Sequence, residues 1–245
     1  MTTFIVPEGV KAINYDIWET LLKGNANFTR PRLRLIFDEL GYHAVEIEDA
    51  YQAYKIANKH FNDQMDETGL DFGMDYRLEM MFGQLCIDAP RPDAATIRHL
   101  QKVTGELRLQ ADYMPSLIEP DLLDTLHAQK DAGLKLGILS NTGMEDGPSV
   151  RPILEKLGIW QLMDAAVFSS ETGTAKPNPE IFWDLAEALG LEPYEILHVG
   201  DNPTADGGAV KAGLHFALYA RRGSDQPHIA TMKELDVRTN EPCLS

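Results

Sequence analysis

The chain has 245 residues, 44% of them hydrophobic and 24% charged, which is the composition of a globular protein that can bury its own core. Its 22 basic and 38 acidic side chains leave a formal net charge of -16. Such a charge repels nucleic-acid backbones and anionic membranes, so we expect neither as a partner. It is still compatible with a small anionic ligand, because the field inside a cleft can differ from the overall charge.

The cysteine content and the hydropathy pattern bear on the cellular compartment. The two cysteines, Cys86 and Cys243, form no CxxC pair. We therefore expect free thiols, and neither a zinc site nor a redox motif. The sequence has no basic-then-apolar leader and no apolar run near 18 residues. These features predict a cytoplasmic protein, and they leave open whether it is a monomer or a homodimer.

The first predicted elements are a strand and a helical insert. Residues 10–15 are short and partly apolar and predict a buried strand that ends at Asp16. From about residue 28 to residue 109 the apolar residues recur with the helical period, and strand-like runs are scarce. This stretch predicts an insert of several helices.

After residue 115 the pattern changes to an alternation of strands and helices. The predicted strands are residues 134–140, 165–169, 196–200 and 215–219, and the predicted helices are residues 121–132, 149–157, 178–189 and 205–212. This alternation predicts βαβ units and a doubly wound, three-layer parallel sheet. We predict an α/β, Rossmann-like core domain at residues 1–24 and 113–245, with a mainly helical cap domain inserted at residues 25–112.

Polar residues follow the predicted strands at the places where ligands bind in such a fold, outside the carboxyl ends of the strands. They are Asp16 after the first strand, Ser140 and Asn141 after the second, and Asp201 after a later one. Lys176 lies in the loop after the strand at residues 165–169. Each residue alone is compatible with a turn, a cap or a surface position. Together they predict one crevice.

The residue types in this crevice predict anion and metal chemistry. Asp16, Asp201 and Asp206 supply carboxylate oxygens, which are the ligands of a hard cation such as Mg²⁺. The turn that begins at Ser140 offers hydroxyl and amide donors to an anion. Lys176 can neutralise a carboxylate and an incoming phosphate.

In this order the segments resemble the four motifs of the haloacid dehalogenase superfamily. The matching segments are Asp16-Ile17-Trp18-Glu19-Thr20, LSNTG with Ser140, AKPNPEIF with Lys176, and HVGDNPTAD with Gly200, Asp201 and Asp206. The resemblance covers residues 10–22 and 115–218. The region between looks like the helical cap of the family, and no motif is assigned within it.

The resemblance implies a hydrolase, most simply a phosphatase of a small phosphorylated metabolite. Asp16 would attack the substrate and form an aspartyl phosphate that water then cleaves. Ser140 and the Asn141 amide would bind phosphate oxygens, with Thr20 assisting. Lys176 would balance the charge on Asp16 and the phosphate.

The resemblance also implies a Mg²⁺ cofactor. Its ligands would be Asp16, Asp201 and the backbone carbonyl of Trp18, with Asp206 in a supporting role. We further expect the Trp18 side chain to contribute to the substrate pocket at the boundary between core and cap.

Two residues depart from the family pattern. The phosphatases of the family carry a second Asp two residues after the nucleophile, which protonates the leaving group, and this chain has Trp18 there. An indole does no acid–base work near neutral pH, and losing a general acid typically costs ~10²–10⁴ in rate. The next residue is usually Gly and here is Glu19. One hypothesis is that the Glu19 carboxylate replaces the missing acid.

Three explanations of Trp18 stay open at this stage. The enzyme cleaves phosphates with good leaving groups, or it is a 2-haloacid dehalogenase-like hydrolase that uses Asp16 without metal, or it is catalytically impaired and binds a ligand. Asp201 and Asp206 argue against the dehalogenase, because those enzymes have a hydroxyl residue in place of the metal-binding acid.

Two further features are interpreted structurally. Arg30, Arg32 and Arg34 could bind a carboxylate, but we interpret them as a solvated helix face. We interpret His198 as a hydrogen-bonded core histidine.

Overall fold

The structure is a computed structural model that describes residues 6–221, 223–225 and 228–235. Its centre is a five-stranded parallel sheet in the order β5–β4–β1–β6–β7, and a separate antiparallel pair is formed by β2 and β3. The strands are β1 (Ala12–Tyr15), β2 (Leu22–Lys23), β3 (Ser116–Leu117), β4 (Lys135–Ser140), β5 (Ala165–Phe168), β6 (Ile196–Gly200) and β7 (His215–Leu218).

Helices cover both faces of the sheet and form the insert. The helices are α1 (Thr29–Glu39), α2 (Ile47–Thr68), α3 (Met74–Gln84), α4 (Ala94–Arg108), α5 (Leu122–Asp131), α6 (Gly147–Lys156), α7 (Ser169–Thr172), α8 (Pro179–Leu189) and α9 (Gly208–Lys211). Every strand and helix predicted after residue 115 is present, with ends that differ by three residues or fewer. The short elements β2, β3 and α7 were not predicted, because two to four residues show no periodicity.

Successive residues of each strand point to opposite faces of the sheet, and this alternation creates two cores. Ile13 and Tyr15 pack with α5 and α6 in one buried cluster. Ala12 packs with α8 and α9 in the other. The predicted three-layer α/β core is therefore confirmed.

The helices α1 to α4 lie in the chain between β2 and β3, and they supply most of a third apolar cluster, to which Met144 from the loop after β4 also belongs. Residues 28–109 contain no strand, as the periodicity predicted. The paired strands β2 and β3 bring together the two points where the chain leaves and re-enters the core. The domain boundaries at residues 25 and 112 stay a prediction.

The C-terminal end of α2 is joined by backbone hydrogen bonds to the loop that carries Lys176. Gly69, in the left-handed conformation with φ 66°, accepts a hydrogen bond from the Ala175 N–H at 2.9 Å. A Cβ atom at Gly69 would lie 2.6 Å from the Asn178 Cβ, so glycine permits this close approach. The contact places one face of α2 opposite the ends of the strands.

The three arginines of α1 differ in exposure. Arg30 pairs with Glu48 at 2.6 Å, and Arg34 lies 3.7 Å from Asp38, both partly exposed. Arg32 is buried, so the predicted solvated face is confirmed for Arg30 and Arg34 and is wrong for Arg32. Residues two apart on a helix do not share a face, so Arg32 points into the insert.

In the described part of the chain, no helix is long and apolar enough to cross a membrane. Cys86 is exposed and free, as predicted, and Cys243 lies outside the described residues.

Candidate active site

Lys176 links two carboxylates that the sequence places 190 residues apart in the chain. Its Nζ atom donates to Asp16 Oδ1 at 2.8 Å, to Asp206 Oδ1 at 2.5 Å and to the Leu139 carbonyl at 3.0 Å. The Lys176 side chain is only 2% exposed. Burial by itself would lower the pKa of Lys176, but the charges of Asp16 and Asp206 raise it above the ordinary value, so the ammonium stays charged.

Asp16 lies directly after β1, where the parallel strands end, and its side chain is nearly inaccessible to solvent. Burial and the charge of Asp206 raise the pKa of Asp16 to about 6, although Lys176 acts in the opposite direction. The Asp16 carboxyl is therefore mostly ionised at neutral pH, although its pKa lies only a little below neutral pH.

Asp201 follows β6 at the mouth of the same crevice and is exposed to solvent. Partial burial and the charges of Asp16 and Asp206 raise the pKa of Asp201 to about 7. Three carboxylates thus lie near a single lysine, which bonds to Asp16 and Asp206. A divalent cation would relieve this excess of negative charge, and the oxygen donors are those that Mg²⁺ prefers.

Within the described residues, no three His, Cys, Asp or Glu side chains form a ready-made metal cluster. The predicted ligand set contains only two such side chains, Asp16 and Asp201, together with the Trp18 carbonyl. The donor types therefore fit Mg²⁺, and the ligand set itself stays a prediction.

Asp206 is held by a buried chain of hydrogen bonds that starts at β1. The Asn14 side chain lies 2.5 Å from His198 Nδ1, and His198 Nε2 lies 3.0 Å from Asp206 Oδ1. The other carboxylate oxygen accepts the Asn202 N–H at 2.9 Å. Burial lowers the pKa of His198, so the imidazole is neutral and donates to Asp206. His198 is the hydrogen-bonded core histidine that the sequence predicted, but its partner belongs to the site.

Gly200, the last residue of β6, leaves room for the Asp206 side chain because it has no Cβ atom. A Cβ atom at this position would lie 2.1 Å from the Asp206 Cγ. Any side chain here would therefore displace Asp206 from Lys176.

Two buried hydroxyl groups have no hydrogen-bond partner among the described residues. They belong to Thr20, which follows Asp16 by four residues, and to Ser140, which follows Leu139. These residues are 0% and 1% exposed, and neither lines the crevice. A buried hydroxyl without a partner costs free energy, about 1–3 kcal/mol by mutational data. Each hydroxyl would gain a hydrogen bond from an acceptor oxygen that reached it.

The Asn141 side chain forms two hydrogen bonds with the backbone of Lys176. Its amide nitrogen donates to the Lys176 carbonyl at 2.9 Å, and its amide oxygen accepts the Lys176 N–H at 2.8 Å. Asn141 therefore holds the loop that presents Lys176, and its role as a phosphate ligand stays a prediction.

Trp18 and Glu19, the two departures from the family pattern, both line the crevice. Trp18 is half-buried, with the Arg108 guanidinium 5.2 Å from its ring centre. Glu19 has φ 58°, a left-handed conformation that glycine adopts without strain. This conformation explains why the family usually has Gly there. The Glu19 carboxylate accepts the Gly24 N–H at 3.2 Å.

The crevice is a cavity of about 410 Å³ between the strand ends and α2. The insert contributes Tyr54, Asn58, Asn62, Met65 and Asp66, and the core contributes Asp16, Lys176, Asp201 and their neighbours. Sequence reasoning missed Asn58, Asn62 and Asp66. The available signal was their spacing of four, which places three polar side chains on one face of a helix.

A family model for haloacid dehalogenase-like hydrolases matches residues 10–213. The match covers most of the chain, and the chain belongs to this family of hydrolases.

The curated relatives match over part of their length. A glyceraldehyde 3-phosphate phosphatase of Methanopyrus kandleri is 37% identical over 110 residues, 44% of this chain and 45% of the relative. A phosphoglycolate phosphatase of Salmonella typhi is 29% identical over 160 residues, 65% of this chain and 62% of the relative. The chain thus spans less than two thirds of the length of either.

Solved structures share the fold. A putative HAD-hydrolase from Bacillus subtilis bound to magnesium has a TM-score of 0.69 at 19% identity, over 95% of this chain and 99% of that chain. A HAD phosphatase from Thermococcus onnurineus has a TM-score of 0.63 at 23% identity, over 94% and 98%. A 2-haloacid dehalogenase from Pseudomonas syringae pv. Tomato also has a TM-score of 0.63, at 19% identity over 92% and 96%. At these identities the likeness concerns the fold alone.

Proposed function

We propose that the chain is a Mg²⁺-dependent phosphatase of a small phosphorylated metabolite that reacts through an aspartyl phosphate on Asp16. The observation that carries this proposal is the buried Asp16 carboxylate, which lines the cavity and accepts a hydrogen bond from the Lys176 ammonium at 2.8 Å. The two relatives named as phosphatases support it.

The chemistry follows from the positions of these groups. An oxygen of ionised Asp16 attacks phosphorus while the bond from phosphorus to the substrate oxygen breaks, and water later cleaves the aspartyl phosphate. The hydroxyls of Thr20 and Ser140 donate to the phosphoryl oxygens, which satisfies both hydroxyls and stabilises the transferred group. Lys176 keeps the Asp16 carboxylate in place and neutralises part of the charge.

Asp16, Asp201 and the Trp18 carbonyl would hold Mg²⁺ in this proposal. When bound, the cation would offset the repulsion between these carboxylates and a phosphate dianion. Asp206 supports the site by orienting Lys176.

The oxygen of the leaving group needs a proton when its bond to phosphorus breaks, and the Trp18 side chain cannot supply one. We therefore expect a preference for substrates whose leaving oxygen needs little protonation, such as acyl phosphates. Glu19 is a carboxylate of the cavity lining, and it stays the candidate for a replacement acid. Asp66 lies across the cavity on α2, and burial and the charge of Asp63 raise its pKa.

The direct test is hydrolysis of para-nitrophenyl phosphate and acetyl phosphate, with Mg²⁺ and with chelator. We expect turnover that requires Mg²⁺, favours acetyl phosphate and is lost in Asp16→Asn. Asp184→Asn, an exposed position on α8, is the matched control and should keep full activity. Metal-independent halide release from 2-haloacids would instead identify the dehalogenase alternative. The absence of both activities would point to a binding protein.

A further inference from the structure

A short segment of the insert runs alongside the loop that carries Lys176. The backbone of residues 69–71, between α2 and α3, pairs with that of residues 173–175 through two hydrogen bonds, at 2.9 Å and 3.0 Å, and an isolated antiparallel bridge. We call these paired segments the seam. On the core side the seam ends directly before Lys176, so the insert is joined to the core at one of the groups of the site.

Asp71, the last residue of the insert segment, also contacts the core with its side chain. Its Oδ1 atom accepts a hydrogen bond from the Ser169 hydroxyl at 2.7 Å. Ser169 is the first residue of α7 and is fully buried. Burial raises the pKa of Asp71, while the bond from Ser169 and the charge of Arg77 act in the opposite direction. The proposed reaction does not use this carboxylate, which is instead bonded to a hydroxyl group of the core.

The Ser169 hydroxyl connects Asp71 to the turn after β4. Its oxygen accepts the Thr142 N–H at 2.9 Å and lies 3.1 Å from the Thr142 hydroxyl oxygen. The Thr142 hydroxyl in turn accepts the Ser170 N–H at 3.1 Å. Because a hydroxyl group has one proton, Ser169 donates to Asp71 and is left as the acceptor for both groups of Thr142. The carboxylate of the insert therefore sets the direction of every bond in this network.

The turn that is held in this way borders the cavity. Thr142 and its neighbour Asn141 both line it. The Asn141 amide bonds twice to the Lys176 backbone, and Lys176 donates to Asp16. A continuous series of contacts thus runs from Asp71 in the insert to Asp16 in the core.

We propose that Asp71 is a positioning residue: through the Ser169 hydroxyl it fixes the turn at residues 140–143 and, with the turn, Lys176. The inference rests on the proposed phosphatase function and deepens it, because it assigns part of the site geometry to the insert. Asp71 acts through other residues and not on the reacting atoms. Its removal should therefore lower the turnover of every phosphate substrate by a similar factor.

The effect of removing the carboxylate follows from the balance of donors and acceptors. In Asp71→Ala the Ser169 and Thr142 hydroxyls keep their protons and lose an acceptor, so the network cannot keep all its bonds. Phosphoryl transfer depends chiefly on positioning, and a displacement of about 1 Å can cost about 100-fold in rate. We expect kcat/KM to fall by about tenfold to 100-fold in this variant.

The test measures kcat/KM for para-nitrophenyl phosphate and acetyl phosphate. Asp71→Ala and Ser169→Ala should each lose a similar factor on both substrates, because these share the transferred phosphoryl group and differ in the leaving group. The double variant should lose no more than Ser169→Ala alone, since both residues act through one bond. Asp71→Asn keeps an acceptor oxygen and should stay within about threefold of wild type. Glu67→Ala, an exposed acid near the end of α2, is the matched control and should keep wild-type activity.

Amide hydrogen exchange separates positioning from a general loss of stability. The Thr142 amide is protected by its bond to Ser169, so it should exchange about tenfold faster or more in Asp71→Ala and at the wild-type rate in Asp71→Asn. The amides of β1 lie in the central strand of the sheet and report global unfolding. They should keep their wild-type protection in both variants.

The outcomes distinguish this inference from the phosphatase function. Wild-type rates on both substrates in Asp71→Ala would overturn the positioning role and leave the phosphatase intact. Faster exchange throughout β1 would also overturn it, because Asp71 would then stabilise the whole fold. A loss confined to para-nitrophenyl phosphate would replace positioning by protonation of the leaving group. If wild type turns over neither substrate, the proposed function fails, and exchange at Thr142 decides: acceleration in Asp71→Ala supports a turn fixed by the insert, and an unchanged rate refutes it.

Discussion

Replacement of Asp16, the proposed nucleophile, should stabilise the metal-free protein. In Asp16→Asn the buried charge is lost, while Lys176 keeps its bonds to Asp206 at 2.5 Å and to the Leu139 carbonyl at 3.0 Å. The lysine is therefore not left without a partner. The variant lacks a carboxylate whose charged form is destabilised by burial and by the charge of Asp206. Its free energy of unfolding should therefore be higher than that of wild type.

The magnitude follows from the pKa of Asp16, which is raised from 3.8 to about 6. Each pKa unit corresponds to about 1.4 kcal/mol, so ionised Asp16 costs the folded state up to about 3 kcal/mol at neutral pH. Below pH 3.8 the group is protonated in both states and contributes nothing. As the pH rises from 3.8 to about 6, the unfolded state releases the proton first and wild type loses stability. The advantage of Asp16→Asn should therefore appear over this window and stay constant above it.

Urea unfolding in EDTA at pH 4 and at pH 7.5 measures this difference, with Asp184→Asn as the matched surface control. EDTA removes bound cations, which would stabilise wild type and mask the effect. The reasoning would be refuted if Asp16→Asn were less stable than wild type at pH 7.5, because the bond between Lys176 and Asp16 would then outweigh the burial of the charge.

Four further predictions test the other groups of the site. Lys176→Met leaves two buried carboxylates without a cation, so it should cost about 3–5 kcal/mol in urea unfolding and be partly rescued by Asp16→Asn. Mg²⁺ at about 100 times its Kd should add about 2.7 kcal/mol to wild type and clearly less to Asp201→Asn, as measured by the same unfolding assay. Glu19→Gln should alter the pH–rate profile if this carboxylate protonates the leaving group, and an unchanged profile excludes that role. Trp18→Asp should raise turnover of para-nitrophenyl phosphate, and flat turnover in a folded variant would show that another group already supplies the proton.

The α/β core could be predicted because its information is local. Each of the strands β4 to β7 is a short apolar run, and each predicted helix after residue 115 has its own glycine or proline boundary. Parallel strands then place their carboxyl ends at one edge of a sheet, which brings Asp16, Ser140, Lys176 and Asp201 together without further knowledge. The family resemblance adds roles to the same positions.

The insert could be predicted only as helices. Periodicity identifies α1 to α4, but it does not say which polar residues of a helix face the core of another unit. Tyr54, Asn58 and Asn62 reach the cavity because the end of α2 is fixed to the Lys176 loop through Gly69. That contact joins residues about a hundred positions apart, and no local pattern encodes it.

The sequence alone determines the chemical groups that this protein offers: carboxylates, a lysine and hydroxyl groups, in segments that follow the strands of the sheet. Only the tertiary structure decides the environment of these groups. Burial raises the pKa of Asp16, the Asn141 side chain is used to hold Lys176, and Arg32 is taken from the surface into the insert. These features depend on which helix packs against which strand end, because burial and charge pairing arise from all neighbours at once.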